Sequence, residues 1–130
     1  MIRSLIVIAV LMTSKMASAH PNMRMVKKCS AIEGIIAISA LELRTYQVRD
    51  YDKVTSTYMR AALQSVEDYL TVRPLMRQSN LANRLLGFVE AEISDTYRYE
   101  RYRISTATSI FERLLNGAER MKAHHCTRRN

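Results

Sequence analysis

Apolar residues recur at helical spacing in four separate segments of the chain. Within each segment they fall three or four positions apart, which places them on one face of an α-helix. The pattern predicts helices over about 22–44, 56–72, 79–93 and 104–124. The residues expected on the four buried faces are, in chain order, Met25, Cys29, Ile32, Ile36, Ala40 and Leu43, with Ile35 and Ile38 widening this first face; Tyr58 or Met59, Ala62, Leu63, Val66, Tyr69 and Leu70; Leu81, Leu85, Phe88, Val89 and Ile93; and Ile104, Ala107, Phe111, Leu114, Leu115, Ala118 and Met121.

Two short stretches between these helices alternate with the period of a strand instead. Residues 45–49 place Tyr46 and Val48 on one side, and residues 97–103 do the same with Tyr97 and Tyr99. Alternation of this kind favours an extended conformation. We expect one short strand in each connection, and the two strands could pair as a small two-stranded ribbon.

The first 19 residues have the pattern of a secretory signal. Arg3 supplies a positive charge, residues 5–12 are continuously apolar, and residues 17–19 read Ala-Ser-Ala, a small-residue cleavage site. The apolar run is too short to cross a bilayer, which takes about 20 residues. The sequence therefore predicts a signal peptide over 1–19 and a secreted, extracellular domain over 20–130, without membrane insertion.

Export bears directly on the two cysteines. In an oxidising compartment Cys29 and Cys126 are expected to pair, with free thiols or an intermolecular bridge as the alternative. Such a bridge ties the start of the first helix to the end of the fourth, so these two helices run antiparallel. Both an up-down-up-down and an up-up-down-down bundle satisfy that condition.

Composition narrows the fold class further. The chain of 130 residues contains only three Gly and two Pro, too few for the frequent turns of an all-β domain. Two cysteines are too few for a zinc site built from thiolates alone. The prediction is a single all-α domain, a four-helix bundle, with a formal net charge of +8 over the whole chain.

Several short motifs, in this order, resemble one family. Lys28 and Cys29 are followed by a pair of isoleucines and a leucine, residues 45–50 and 57–62 come next, and residues 111–115, 119–121 and Cys126 close the chain. This layout resembles the short-chain four-helix cytokines of the interleukin-4/interleukin-13 group. The resemblance implies an up-up-down-down bundle, with a strand in each long crossover. It also implies a monomeric secreted cytokine that binds and bridges two cell-surface receptor chains on leukocytes.

The same resemblance implies a set of receptor-binding residues. The family uses an acidic residue on its first helix; Gly34 aligns with that position, so its neighbour Glu33 is the candidate. Arg77 and Arg84 are the candidates for an arginine on the third helix, and Arg120 matches one on the fourth. The chain departs from the family in lacking its further disulfides. Met59 stands where the family has a cysteine, and Ala123 replaces a tyrosine.

The sequence is also compatible with functions other than receptor binding. Catalysis is not expected and no cofactor is implied, because the three histidines lie in the terminal segments and the carboxylates are scattered. One alternative is a bacterial or phage periplasmic binding protein of immunity or inhibitor type, which simple antiparallel neighbouring helices would favour. A second is a periplasmic copper protein, with the ligands His20, Met23, Met25, His124 and His125.

The basic segment 97–103 adds one further partner class. Its arginines and tyrosines, with an isoelectric point near 9.9, suggest binding to anionic glycans. Export argues against nucleic acid as the partner.

Overall fold

Four helices and two short strands make up the fold. The computed structural model describes residues 23–48, 52–71 and 79–126. The elements are α1 (Met23–Val48), β1 (Lys53–Thr55), α2 (Ser56–Leu70), α3 (Asn80–Asp95), β2 (Arg101–Arg103) and α4 (Ile104–His125). The predicted all-α class with four helices and a two-stranded ribbon is confirmed. The predicted signal segment lies outside the described residues.

Hydroxyl side chains cap two of the helices at their first turn. The Thr55 hydroxyl accepts a hydrogen bond from the Tyr58 N–H, and the Ser79 hydroxyl accepts one from the Ala82 N–H. Each cap satisfies a backbone donor that has no partner inside its helix. The beginnings of α2 and α3 are thereby fixed by the local sequence.

The ribbon is antiparallel and its inner face joins the core. Lys53 lies opposite Arg103 and Thr55 opposite Arg101, while the central pair, Val54 and Tyr102, is buried. The strand β2 lies within the predicted stretch 97–103, at its C-terminal end. The other strand prediction is wrong in position, because residues 45–48 form the last turn of α1 and β1 begins at Lys53.

The core follows most of the predicted stripes, with departures on α1 and at Tyr69 of α2, which is 36% exposed where a buried position was expected. Phe111, Met59 and Leu114 are fully buried, as the periodicity predicts. On α1 the buried face runs through Ala31, Ile32, Ile35, Ser39, Glu42, Leu43 and Tyr46. Met25 is 42% exposed, so its expected place in the core is wrong.

Side-chain contacts give the direction of α2 and α3. An added Cβ at Gly34, near the middle of α1, would meet the ring of Tyr69 at the end of α2. The Tyr46 hydroxyl, near the end of α1, lies 3.5 Å from the sulfur of Met59 at the start of α2. Moving back along α1 therefore leads toward the end of α2. Arg60, near the start of α2, bonds to Thr96 at the end of α3 with an Nε to Oγ1 distance of 3.0 Å. Both pairs of helices are antiparallel.

The last helix returns in the opposite direction to α3. The Ser79 hydroxyl lies 3.2 Å from Nε2 of His125, which joins the start of α3 to the end of α4. The expected disulfide between Cys29 and Cys126 closes the same end of the bundle, with the two Cα atoms 5.8 Å apart. Each helix thus runs antiparallel to the one before it.

This order of directions corrects the expected up-up-down-down connectivity. Because α1 continues to Val48, only the seven residues 49–55 remain before α2. Residues 53–55 pair with β2, which leads into α4 at the end where α1 finishes. A connection along the length of α2 would have to span about 22 Å. Residues 53–55 are held in the ribbon at one end of the bundle and cannot contribute to that span. None of the helices that the structure describes is long and apolar enough to span a membrane.

Candidate functional site: the groove between α3 and α4

The predicted binding residues fall on two surfaces. Arg84 of α3 and Arg120 of α4 are both exposed and line the same groove. Glu33 lies on α1, where its carboxylate forms an ion pair of 2.8 Å with Lys122. Arg77 lies outside the described residues. Lys122 is two positions from Arg120, about 200° around the helix, so Glu33 and the groove occupy different sides of α4.

The groove has an apolar floor and a polar rim. Its cavity volume is about 490 Å³. From α3, Leu81, Leu85 and Phe88 supply apolar surface, and α4 contributes mainly polar side chains. The remaining lining residues are Arg84, Ser109, Glu112, Arg113, Asn116, Gly117 and Arg120. A neighbouring cavity of about 390 Å³ continues it toward the start of α4.

The way α4 packs against α1 and α3 explains why the groove stays open. The α4 helix packs chiefly against α1, and its approach to α3 is close only locally. At Gly117 an added Cβ would lie 2.8 Å from Cδ1 of Leu85, so the missing side chain permits this approach. Further along, the Arg113 guanidinium lies over the Phe88 ring, 4.1 Å from its centroid. Gly117 therefore has a packing role within α4.

The groove is predominantly cationic. Arg84, Arg113 and Arg120 line it against a single carboxylate, Glu112. In the adjoining cavity Glu92 adds a second carboxyl, and its pKa is raised by burial and then by Asp95, while Arg113 opposes the shift. Guanidinium groups beside apolar surface are well suited to hold carboxylates of a protein partner.

A second cluster of polar groups lies between α1 and α2. The Tyr46 hydroxyl donates to Oε1 of Glu42 at 2.8 Å, and the Tyr58 hydroxyl donates to Oε2 at 3.2 Å. Glu42 is only 7% exposed, which the sequence did not predict. Its i,i+4 spacing from Tyr46 was the available signal. Burial, reinforced by the hydrogen bond to Glu42, strongly raises the pKa of Tyr46.

Of the groups suggested for copper, the structure describes the side chains of Met25, His124 and His125. Among the described residues, no cluster of three or more His, Cys, Asp or Glu residues has the geometry to hold a metal ion. The rings of His124 and His125 pack edge to face at 4.8 Å, and His125 is engaged with Ser79. His20 lies outside the described residues.

Comparison with protein-family models, with curated proteins and with solved structures finds no match to this chain. What the protein does has to be inferred from its own surfaces.

Proposed function

We propose that the protein is an exported, non-enzymatic binding protein of the inhibitor type, which holds an acidic segment of a protein partner in the groove between α3 and α4. The observation that carries the proposal is the set of three arginines, Arg84, Arg113 and Arg120, around the apolar floor of one groove. The exported state rests on the signal-like pattern of residues 1–19.

The groove offers the two kinds of contact that dominate protein interfaces. Leu81, Leu85 and Phe88 provide apolar surface on which a partner's side chain can be desolvated. The flanking arginines can pair with carboxylates in a bidentate manner and draw an acidic partner toward the groove. An amphipathic acidic helix meets both requirements, with apolar residues at i, i+3 or i+4 and acidic residues beside them.

The scaffold supports binding because the two walls are held by independent contacts. The disulfide fixes the end of α4 to α1, and the Ser79–His125 contact fixes the start of α3 to the end of α4. A groove that is already formed loses less conformational entropy when a partner is ordered in it. We expect the groove backbone to change little on binding.

The experiment compares the purified parent with the double variant Arg84→Glu/Arg120→Glu as immobilised bait. Extracellular and cell-envelope proteins of the source organism are passed over both, and proteins captured only by the parent are made recombinantly. Their affinity is then measured by surface plasmon resonance. We expect the double variant to lose at least about 100-fold in affinity, since two charge-assisted contacts become repulsive.

The matched control is Lys27→Glu/Arg44→Glu, which makes the same change in charge at two exposed positions of α1. It should retain the parent's affinity within about threefold. Equal losses in the two double variants would show a general charge effect and contradict the groove. Parent affinity in the groove variant would contradict it as well.

A second candidate is the interleukin-4/13-like cytokine. It draws support from the crossover ribbon and from the disulfide between the first and last helices, both of which the resemblance includes. The antiparallel order of successive helices differs from the up-up-down-down order of that family, which is why this function is placed second. If the protein is such a cytokine, two cell-surface receptor chains would contact Glu33, Arg77, Arg84 and Arg120.

Charge reversal separates the two candidates. The cytokine requires measurable binding to interleukin-4 or interleukin-13 receptor ectodomains, and Glu33→Lys should weaken that binding without unfolding the domain. Inhibitor-type binding in the groove should be unaffected by Glu33→Lys, because Glu33 lies on the other side of α4. Absence of ectodomain binding by the parent at micromolar concentration would dismiss the cytokine.

A further inference from the structure

The outer face of the ribbon carries only polar groups, three of them cationic. In both strands the outer residues are exposed and the central residue is buried. The outward positions are Lys53, Thr55, Arg101 and Arg103. Adjacent strands lie about 5 Å apart and alternate residues of a strand about 7 Å apart, so the three cations fall within a small area.

The register places like charges against each other. Lys53 lies directly opposite Arg103. Among the described residues, the ion pairs are those of Arg98 with Asp95 and of Lys122 with Glu33, and neither involves the ribbon. Like charges opposite each other destabilise a strand pair, so this arrangement costs the free protein stability. An anion lying between the two side chains removes that cost.

Two carboxylates lie next to the ribbon in the chain. Asp52 and Glu100 each precede a strand, both are exposed, and neither forms an ion pair with a ribbon cation among the described residues. Two hollows border the ribbon. One, of about 330 Å³, lies toward α1 and α2 and is lined by Lys53, Thr55 and Arg101 together with Thr45, Tyr46, Val54 and Tyr58. The other, of about 460 Å³, is lined by Lys53, Arg103, Asp52, Ile104 and Ser105.

We propose that this outer face binds a sulfated glycan chain, which lies across the ribbon and places its anionic groups between Lys53, Arg101 and Arg103. The site is separate from the groove and rests on the proposed export of the protein, but not on binding in the groove. A linear polyanion matches three cations spaced by about 5–7 Å, and an exported protein meets such chains outside the cell.

The chemistry of the face favours a glycan over other polyanions. None of its four outward residues is aromatic. Arg60 covers the nearby ring of Tyr97 at 4.0 Å, and Tyr99 packs edge-on against Tyr102. Tyr58, which lines one hollow, is held by the hydrogen bond from its hydroxyl to Glu42. Single-stranded nucleic acids bind largely by stacking on free rings. A bilayer surface calls for an apolar face beside the cations, and the outward residues provide none.

The test measures binding of a heparin-derived octasaccharide to the full-length protein by calorimetry at 0.15 M NaCl. The triple variant Lys53→Gln/Arg101→Gln/Arg103→Gln should bind at least about tenfold more weakly than the parent. The matched control, Lys27→Gln/Lys28→Gln/Arg44→Gln, removes the same charge from α1 and should bind within about threefold of the parent. Equal losses in the two triple variants, or no binding by the parent, would overturn the proposal.

The single variant Lys53→Glu separates a binding role from a structural one. It places a carboxylate opposite Arg103, so the melting temperature should rise while glycan binding falls. A fall in melting temperature together with binding would assign Lys53 a structural role and overturn the proposal. A single-stranded oligonucleotide or phosphatidylserine vesicles that bound as tightly as the octasaccharide would also overturn it.

Discussion

The buried hydroxyl of Tyr46 provides a test of how much one buried hydrogen bond contributes to stability. Tyr46 is 4% exposed and donates to Glu42, while its ring packs against Phe111 with centroids 6.0 Å apart. The substitution Tyr46→Phe keeps the ring and deletes only the hydroxyl. Glu42 is then left buried with the hydroxyl of Tyr58 as its remaining tyrosine donor.

The size of the effect follows from the charge on the acceptor. A hydrogen bond to a charged group contributes about 1.5–3 kcal/mol, and its removal leaves a buried carboxylate partly unsatisfied. We therefore expect Tyr46→Phe to lower the free energy of unfolding by about 2–3 kcal/mol. Because the ring and its contact with Phe111 remain, little of this loss comes from packing.

Tyr102 supplies the matched control. It is 6% exposed, and its hydroxyl is buried without a hydrogen-bond partner among the described residues. Burial also raises its pKa to about 12, with further contributions from Glu92 and Asp95. Removing an unsatisfied buried hydroxyl ends a desolvation penalty, so Tyr102→Phe should be neutral or stabilising by about 1 kcal/mol.

Urea denaturation followed by circular dichroism measures both variants. With a denaturant dependence of about 2 kcal/mol/M, the midpoint of Tyr46→Phe should fall by about 1 M, and that of Tyr102→Phe should stay level or rise. Equal shifts in the two variants would refute the reasoning, because both delete the same group from a buried ring.

Three further predictions concern stability. Gly87→Ala should raise the free energy of unfolding by about 0.5–1 kcal/mol, because the new Cβ would meet nothing within 4 Å. Gly117→Ala should lower the free energy of unfolding, because its Cβ would be overpacked against Leu85. The melting temperatures of the two variants check both expectations. Replacing both Cys29 and Cys126 with serine opens a loop spanning 97 residues and should cost about 4–5 kcal/mol, measured against the oxidised parent in urea. Burial, Lys28 and His124 lower the pKa of His125 in the folded protein, so the unfolded chain binds the histidine proton more tightly. The contribution of His125 to stability should therefore be complete above about pH 6.5 and decline below it. In a pH series of urea midpoints, His125→Gln should flatten that decline.

Hydrophobic periodicity was sufficient to locate the helices, since each has an apolar face that must be buried. It failed at the end of α1, where Tyr46 and Val48 alternate over too few residues to distinguish a strand from a helical turn. The decisive contact there is the Tyr46 to Glu42 hydrogen bond, which joins positions four apart and needs a helix. Four additional helical residues shorten the following connection, and this shortening decides the direction of α2.

The sequence predicted two of the three arginines in the candidate groove. Arg84 and Arg120 were selected by resemblance and do share one surface, but Glu33 faces Lys122 on another. Arg113 was not selected, because a charged residue on a helix gives no sign of the ring it will lie over. Its partner Phe88 is distant in sequence, and only the packing of α3 against α4 brings them together.

The connectivity has a direct consequence for which surfaces remain available. A connection that crosses from one end of a bundle to the other must lie along the outside of its helices, whereas here α1 ends and α2 begins at the same end of the bundle. The groove is therefore left uncovered by that connection, and α4 links it to the ribbon. Arg103 precedes α4 and Arg120 lies near its end, about 25 Å further along the helix axis. At that separation the effects of ribbon and groove variants should be additive, because sites without shared contacts perturb free energy independently. A partner in the groove and a glycan on the ribbon can then be held by one molecule at the same time.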